Sequence, residues 1–230
     1  MSDAPAPLTP SIGLNVAHLF WAPSALADVD AVVEVVDKAR ADGDQVVCAA
    51  MLGHKSDFCT MVLSDDQWRL RRFQTAVADA GLDLVDSYLS LTEMSEYAQG
   101  LPEEMKQARL HPQLPPEGKS AFCFYPMSKR RNVGQNWFTL PYDERKALMM
   151  EHGASGRKFA GRVLQVVTGS TGLDDYEWGV TLFCVHPDDV KEVVYTMRYD
   201  EASATYAEFG PFYIGMVAEA RDALASLGLG

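Results

Sequence analysis

Residues 45–80 read QVVCAAMLGHKSDFCTMVLSDDQWRLRRFQTAVADA. Two apolar runs, 45–51 and 57–63, flank Gly53-His54-Lys55 and predict a strand pair. Residues 65–80 open on Asp65-Asp66 and stop at Gly81, which predicts a helix. Working outward, residues 14–21 are an apolar run with strand character. Residues 25–41 predict a helix with Val32, Val33, Val35 and Val36 on one side and Gly43 as its stop. Residues 82–91 predict a closing strand. The order is strand, helix, strand, strand, helix, strand.

After residues 99–118 (QGLPEEMKQARLHPQLPPEG), a Pro- and charge-rich stretch that reads as a linker, the order returns. Residues 120–126 predict a strand stopped by Pro126, and 142–152 a helix ended by Gly153. Residues 162–168 and 176–185 predict a hairpin across the turn region 169–175. Residues 188–199 predict the second long helix, 211–217 the last strand and 218–227 a terminal helix. This is an α+β chain of two tandem ferredoxin-like units, a pairing that can close as a dimeric-type α+β barrel within one chain. The predicted division is a flexible arm over 1–11, a first half over 12–98, the linker 99–118 and a second half over 119–230.

The 230 residues are 47% hydrophobic and carry a net charge of −12. The charge opposes a sequence-independent grip on nucleic acid or anionic lipid. No run approaches the roughly 18 apolar residues of a membrane span. The N-terminus, MSDAPAPLTP, has no positive n-region and reads as neither signal nor transit peptide. Cys48, Cys59, Cys123 and Cys184 lack CxxC spacing, and three sit in apolar runs; they read as buried reduced thiols of a cytoplasmic protein.

The chemistry gathers in residues 125–165, YPMSKRRNVGQNWFTLPYDERKALMMEHGASGRKFAGRVLQ. His152 shares a predicted helix face with Leu148 and Met149, as a core or helix-capping residue or as a ligand. Gln165 lies amid aliphatics in VLQVV and either finds an inward partner or alternates outward. Tyr125 ends FCFYP, as a strand-end phenol or a redox group. Lys129, Arg130 and Arg131 are a solvated face or an anion site, conspicuous in so acidic a chain. Arg109 adds a guanidinium suited to a carboxylate. His18, His54, His111 and His186 make no metal pattern. Asp174-Asp175 reads as turn chemistry, and Gly169, Gly172 and Gly179 form no phosphate loop.

The blocks YPMSKRR (125–131), NW (136–137), HG-x-x-GR-x-x-x-G (152–161), TGS-x-GLDDYEWGVTLF (168–183) and MR-x-DEASA-x-Y-x-EFGPF (197–212) closely resemble the coproheme decarboxylases, haem-synthesis enzymes of the chlorite dismutase superfamily. The resemblance runs from residue 109 to 215 and is weak before it. It implies the barrel architecture and a ring-shaped homopentamer. It makes His152 the proximal ligand of iron, with Glu208 a candidate acceptor for its second nitrogen. It places Gln165 on the distal face, where chlorite-degrading members carry Arg; an amide lacks the charge that would hold chlorite. It makes Tyr125 the radical carrier and Lys129 the residue that orients a propionate or assists proton movement. Arg109, Tyr125, Pro126, Met127, Ser128, Lys129 and Ser203 become porphyrin contacts.

The implied activity is hydrogen-peroxide-dependent decarboxylation of iron-coproporphyrin III, both substrate and redox centre, to haem b through a monovinyl, three-propionate intermediate. This is the last step of coproporphyrin-dependent haem biosynthesis, with a transient contact to the coproporphyrin ferrochelatase. Two departures stand out: Asn136-Trp137-Phe138 replaces the usual NWY, and the connection 115–120 is about two residues longer. A non-catalytic haem carrier or sensor is a second reading. A chlorite-degrading or general peroxidase is a third, which Gln165 disfavours.

Overall fold

The computed structural model describes residues 5–98 and 100–229. Its strands are β1 (Asn15–Pro23), β2 (Gln45–Leu52), β3 (Phe58–Ser64), β4 (Leu82–Thr92), β5 (Ala121–Lys129), β6 (Arg131–Asn132), β7 (Gln135–Asn136), β8 (Val163–Gly169), β9 (Trp178–Cys184), β10 (Ala207–Phe209) and β11 (Tyr213–Val217). Its α-helices are α1 (Val29–Ala41), α2 (Gln67–Asp79), α3 (Glu103–Leu110), α4 (Tyr142–Arg157), α5 (Pro187–Met197), α6 (Glu201–Ala204) and α7 (Ala220–Ala225).

The first half pairs its strands in the order β4-β1-β3-β2 and the second in the matching order β8-β9-β5-β11. Both are the antiparallel arrangement of a ferredoxin-like unit. β11 pairs with β2, Gly215 opposite Met51, and β4 meets β8 at Leu91↔Gly169 and Thr92↔Thr168. With β5 also paired to β9, eight strands run in a closed ring. The α+β class and the large antiparallel sheet match the expectation.

Period-2 alternation sorts each strand between two layers. Val16, Phe20, Met61, Phe122, Phe124 and Phe183 point inward and form a core shared by both halves. Ala17, Leu19 and Trp21 point outward and pack under α1, α2 and α7. On the second half, Cys123, Tyr125, Val180 and Leu182 point outward toward α5, whose Val193 joins them. The aspartates before the first two helices act as N-caps: Asp28 Oδ1 accepts from Ala31 N at 3.0 Å and Asp66 Oδ1 from Trp68 N at 3.0 Å.

Four local expectations change. β5 does not stop at Pro126 but runs on to Lys129. A proline forfeits only its N–H; the Pro126 carbonyl still accepts from Gly210 N at 2.8 Å. Gly153 does not end α4, which continues to Arg157. Gly153 is not among the residues of positive φ, so it stays in the helix, and Met197 Cε comes within 3.6 Å of a Cβ position at Gly156, so α5 packs close there. The stretch read as a linker contains α3, whose Leu110 is buried and whose Leu110 carbonyl accepts from Thr92 Oγ1; Gln99 lies outside the described residues. Of the arm over 1–11, residues 1–4 lie outside them too, while Leu8 is tied to the start of α2 through Asp66 Oδ1 and Gln67 N. The hairpin β6–β7 and the strand β10 add to the expected elements.

All four cysteines are buried free thiols, each in a strand. Among the described residues no helix is long and apolar enough to cross a membrane, and no cluster of His, Cys, Asp and Glu is arranged to hold a metal ion.

Candidate functional site

His152 sits inside α4, one turn after Met149 and Leu148, which pack with Trp137, Ala202 and Tyr206. Its imidazole Nδ1 faces Asp200 Oδ2 at 3.2 Å, and Ser155 donates to the other oxygen, Oδ1, at 2.7 Å. Ser203 Oγ lies 3.4 Å from the same ring nitrogen. The expected acceptor, Glu208, is not the partner: it is exposed on β10, paired in register with Ser128. Asp200 wins because it ends the turn before α6, which packs on α4, whereas β10 belongs to the sheet edge.

Burial, and then the nearby Lys129 cation, push the His152 pKa below its usual value, with Asp200 opposing. The ring is therefore neutral at pH 7. With Nδ1–H donated to Asp200, Nε2 keeps its lone pair and has no hydrogen-bond partner among the described residues. A neutral, oriented imidazole with one committed nitrogen is what an axial iron ligand requires.

Lys129 reaches the same cluster from β5. It is 8% exposed, its Nζ donates to the Ala202 carbonyl at 2.5 Å and stands 4.4 Å above the Trp137 ring. Burial pushes its pKa down from 10.5 to about 8, against the pull of Glu177. The structure thus joins Lys129, His152, Asp200 and Ser203 through one short helix, α6.

Tyr125 lies on the same face of β5, four residues before Lys129. Its ring stacks on Phe212 at 4.5 Å and meets Phe209 edge-on at 5.6 Å. Burial raises its phenol pKa, and the hydroxyl makes no hydrogen bond among the described residues. The strand registers Tyr125↔Val180↔Val167 and Cys123↔Leu182↔Gln165 put Gln165 on this outer face as well. α5 covers β5 and β9, while Gln165 and Val167 on β8 stay exposed. That open strip beside buried apolar rows offers a flat, half-apolar wall.

Other expected contacts are placed differently. Pro126 faces the opposite way and borders a cavity of about 170 Å³ at the barrel mouth, with Phe20, Tyr88, Phe124 and Tyr213. The Ser128 hydroxyl accepts from Glu177 N at 3.2 Å, and Met127 is half-buried between Tyr125 and Lys129. Arg109 is exposed at the end of α3 and forms no ion pair among the described residues. Arg131 is not free: it pairs with Glu177 and lies 4.9 Å over Phe138. Glu177, Asp200 and Ala202 join the cluster without having been singled out from the sequence, although the DEASA and DDYEW blocks contain them.

A closed antiparallel barrel of two ferredoxin-like units, with a carboxylate-anchored histidine, a buried lysine and a buried tyrosine on its outer side, defines the class: an α+β barrel protein. The chain belongs to the chlorite dismutase family, whose model matches residues 24–218. It is 43% identical to the coproheme decarboxylase of Staphylococcus carnosus over 177 residues, 72% of this chain and 70% of that one. It is 41% identical over 209 residues to a candidate haem-binding protein of Natronomonas pharaonis; that match covers 84% of this chain but spans only 34% of that protein's length. Among solved structures, a haem-binding protein of Thermus thermophilus superposes with a TM-score of 0.84 at 33% identity, covering 98% of this chain and 100% of that one. A chlorite dismutase mutant of Candidatus Nitrospira defluvii shares the fold, with a TM-score of 0.78 at 18% identity over 94% of this chain and 96% of that one.

Proposed function

We propose that this protein is a hydrogen-peroxide-dependent coproheme decarboxylase, converting iron-coproporphyrin III to haem b. The observation that carries the reading is the His152–Asp200 pair: it leaves Nε2 free on a neutral imidazole, with Tyr125 and Lys129 on a neighbouring strand face. The 43% identity to a coproheme decarboxylase supports the substrate class.

His152 is the iron's axial ligand, and the iron arrives with the substrate and supplies the redox chemistry. Tyr125 gives up its phenolic hydrogen and then takes hydrogen from the propionate carbon beside the macrocycle. Its raised pKa keeps the proton on the phenol until an electron leaves with it. Each turn balances: a propionate, counted as its acid, loses two hydrogens and carbon dioxide to become a vinyl group, and one peroxide becomes two waters. Lys129, whose pKa lies close to neutral pH, pairs with a propionate or moves a proton. Gln165 and Arg109 complete the distal face and the rim, and Met127, Ser128 and Ser203 line the porphyrin edge, while Pro126, which faces the other way, contributes at most its backbone. The reaction is cytoplasmic, in a homopentamer that meets the coproporphyrin ferrochelatase transiently.

The test is mass spectrometry of protein loaded with iron-coproporphyrin III, before and after peroxide titration, in wild type and Tyr125→Phe. The wild type should lose two carboxyl groups in succession while the variant binds but does not decarboxylate. Decarboxylation by Tyr125→Phe at the wild-type rate rejects the radical role. Absence of any decarboxylation by the wild type leaves a haem carrier as the better reading.

A further inference from the structure

Glu177 is a buried carboxylate, 6% exposed, immediately before β9. A buried charge persists only when its oxygens are occupied. Here Oε2 accepts from the backbone N–H of Lys129 at 2.8 Å, and Oε1 pairs with the Arg131 guanidinium. The Glu177 backbone N–H donates in turn to the Met127 carbonyl at 3.1 Å and to Ser128 Oγ at 3.2 Å. One residue thus grips Met127, Ser128, Lys129 and Arg131, the segment that the proposed function places along the porphyrin edge.

The two partners differ in freedom. The Arg131 side chain is 64% exposed, whereas that of Glu177 is 8% exposed and held on both oxygens. An incoming carboxylate therefore competes with Glu177 for a guanidinium that can turn, against a carboxylate that cannot follow. The Glu177 charge also reaches the Lys129 ammonium, and that ammonium in turn acts on His152, which Asp200 faces at Nδ1. We propose that Glu177 tunes porphyrin affinity: it orders the Met127–Arg131 segment while partly neutralising its cations, so that porphyrin carboxylates are held less tightly than the bare cations would hold them, a tetracarboxylate being the most affected. This rests on the proposed substrate class.

The test uses the full chain and metal-free porphyrins, which need no iron ligation by His152. Binding of coproporphyrin III (four carboxylates) and deuteroporphyrin IX (two) is followed by fluorescence at low and high salt. Glu177→Gln retains an oxygen for the Lys129 N–H and removes the charge. It should bind coproporphyrin III about two- to tenfold more tightly, the range for one nearby partly exposed charge. The gain should be smaller for deuteroporphyrin IX and should shrink at high salt. Adding Arg131→Gln should cancel it. Unchanged affinity in Glu177→Gln, or equal weakening toward both porphyrins, overturns the assignment and leaves Glu177 a packing residue. Glu177→Asp, which keeps the charge, guards against misfolding: if it also binds more tightly than wild type, charge is not the cause and the assignment fails. A wild-type protein with no preference for the tetracarboxylate instead overturns the proposed substrate class, and this inference with it.

Discussion

Replacing Lys129 with Met isolates the cost of a buried cation. The ammonium is 8% exposed, and its pKa falls from 10.5 to about 8 on folding, chiefly through burial. Between those values the unfolded chain holds the proton and the folded chain has released it. Stability therefore rises with pH across that window, the penalty being fully present below about pH 8 and gone above 10.5. The gap between the two values corresponds to about 3 kcal/mol, of which about 2 kcal/mol falls between roughly pH 7.5 and 10. Met has nearly the same length and no charge, so the variant should lack this slope. At neutral pH the lost Nζ–Ala202 hydrogen bond and the contact with Trp137 cost about 2–4 kcal/mol together, offsetting the relieved burial. The two proteins should then be similar in stability at about pH 7.5, with the wild type ahead by about 2 kcal/mol at about pH 10. Buried thiols such as Cys48 and Cys123, pushed up to about 12, pull stability down as pH rises, but equally in both proteins. The assay is urea unfolding of ligand-free protein at matched pH steps, read as the difference between the two. A pH-independent difference would refute the idea that Lys129 is folded into a desolvated site.

Three further outcomes can be checked. Asp200→Ala should destabilise by about 1.5–3 kcal/mol, because it strands the buried Ser155 hydroxyl and the His152 N–H, and should alter the ferric coproporphyrin spectrum; a wild-type spectrum would show that Asp200 does not orient the ring. Thr181→Val should cost about 1–3 kcal/mol by removing the partner of His18 Nε2, since His18 is fully buried with Nδ1 already unpaired among the described residues; burial drives its pKa to about 3, so calorimetry should show the loss at neutral pH with the ring uncharged. His152→Ala should fold normally yet abolish axial ligation, and an unchanged axial signature in the ferric complex would remove that assignment.

The α+β class was legible because alternation and glycine stops are local properties: the hairpin at residues 45–63 and its successor helix stand within one or two residues of the prediction. The misreadings are local rules overruled by packing. Pro126 stays in a strand because its carbonyl still finds Gly210, and Gly153 stays helical because α4 continues under α5. Glu208 lost to Asp200 for the same kind of reason: which carboxylate reaches an imidazole depends on how α6 leans on α4.

The sequence by itself determined the repeating element order, the acidic character, the residue types available for chemistry and the family they resemble. All of these follow from nearest neighbours along the chain. Only the tertiary structure decided that β5 closes on β9, that Lys129 lies buried against Ala202 and Trp137, and that a buried Glu177 meets Arg131. The Arg131–Glu177 and Lys129–Ala202 contacts join residues 46 and 73 positions apart. Whether a charge sits in water or in protein is fixed by such distant neighbours, because desolvation depends on everything packed around it, not on the residues beside it in sequence.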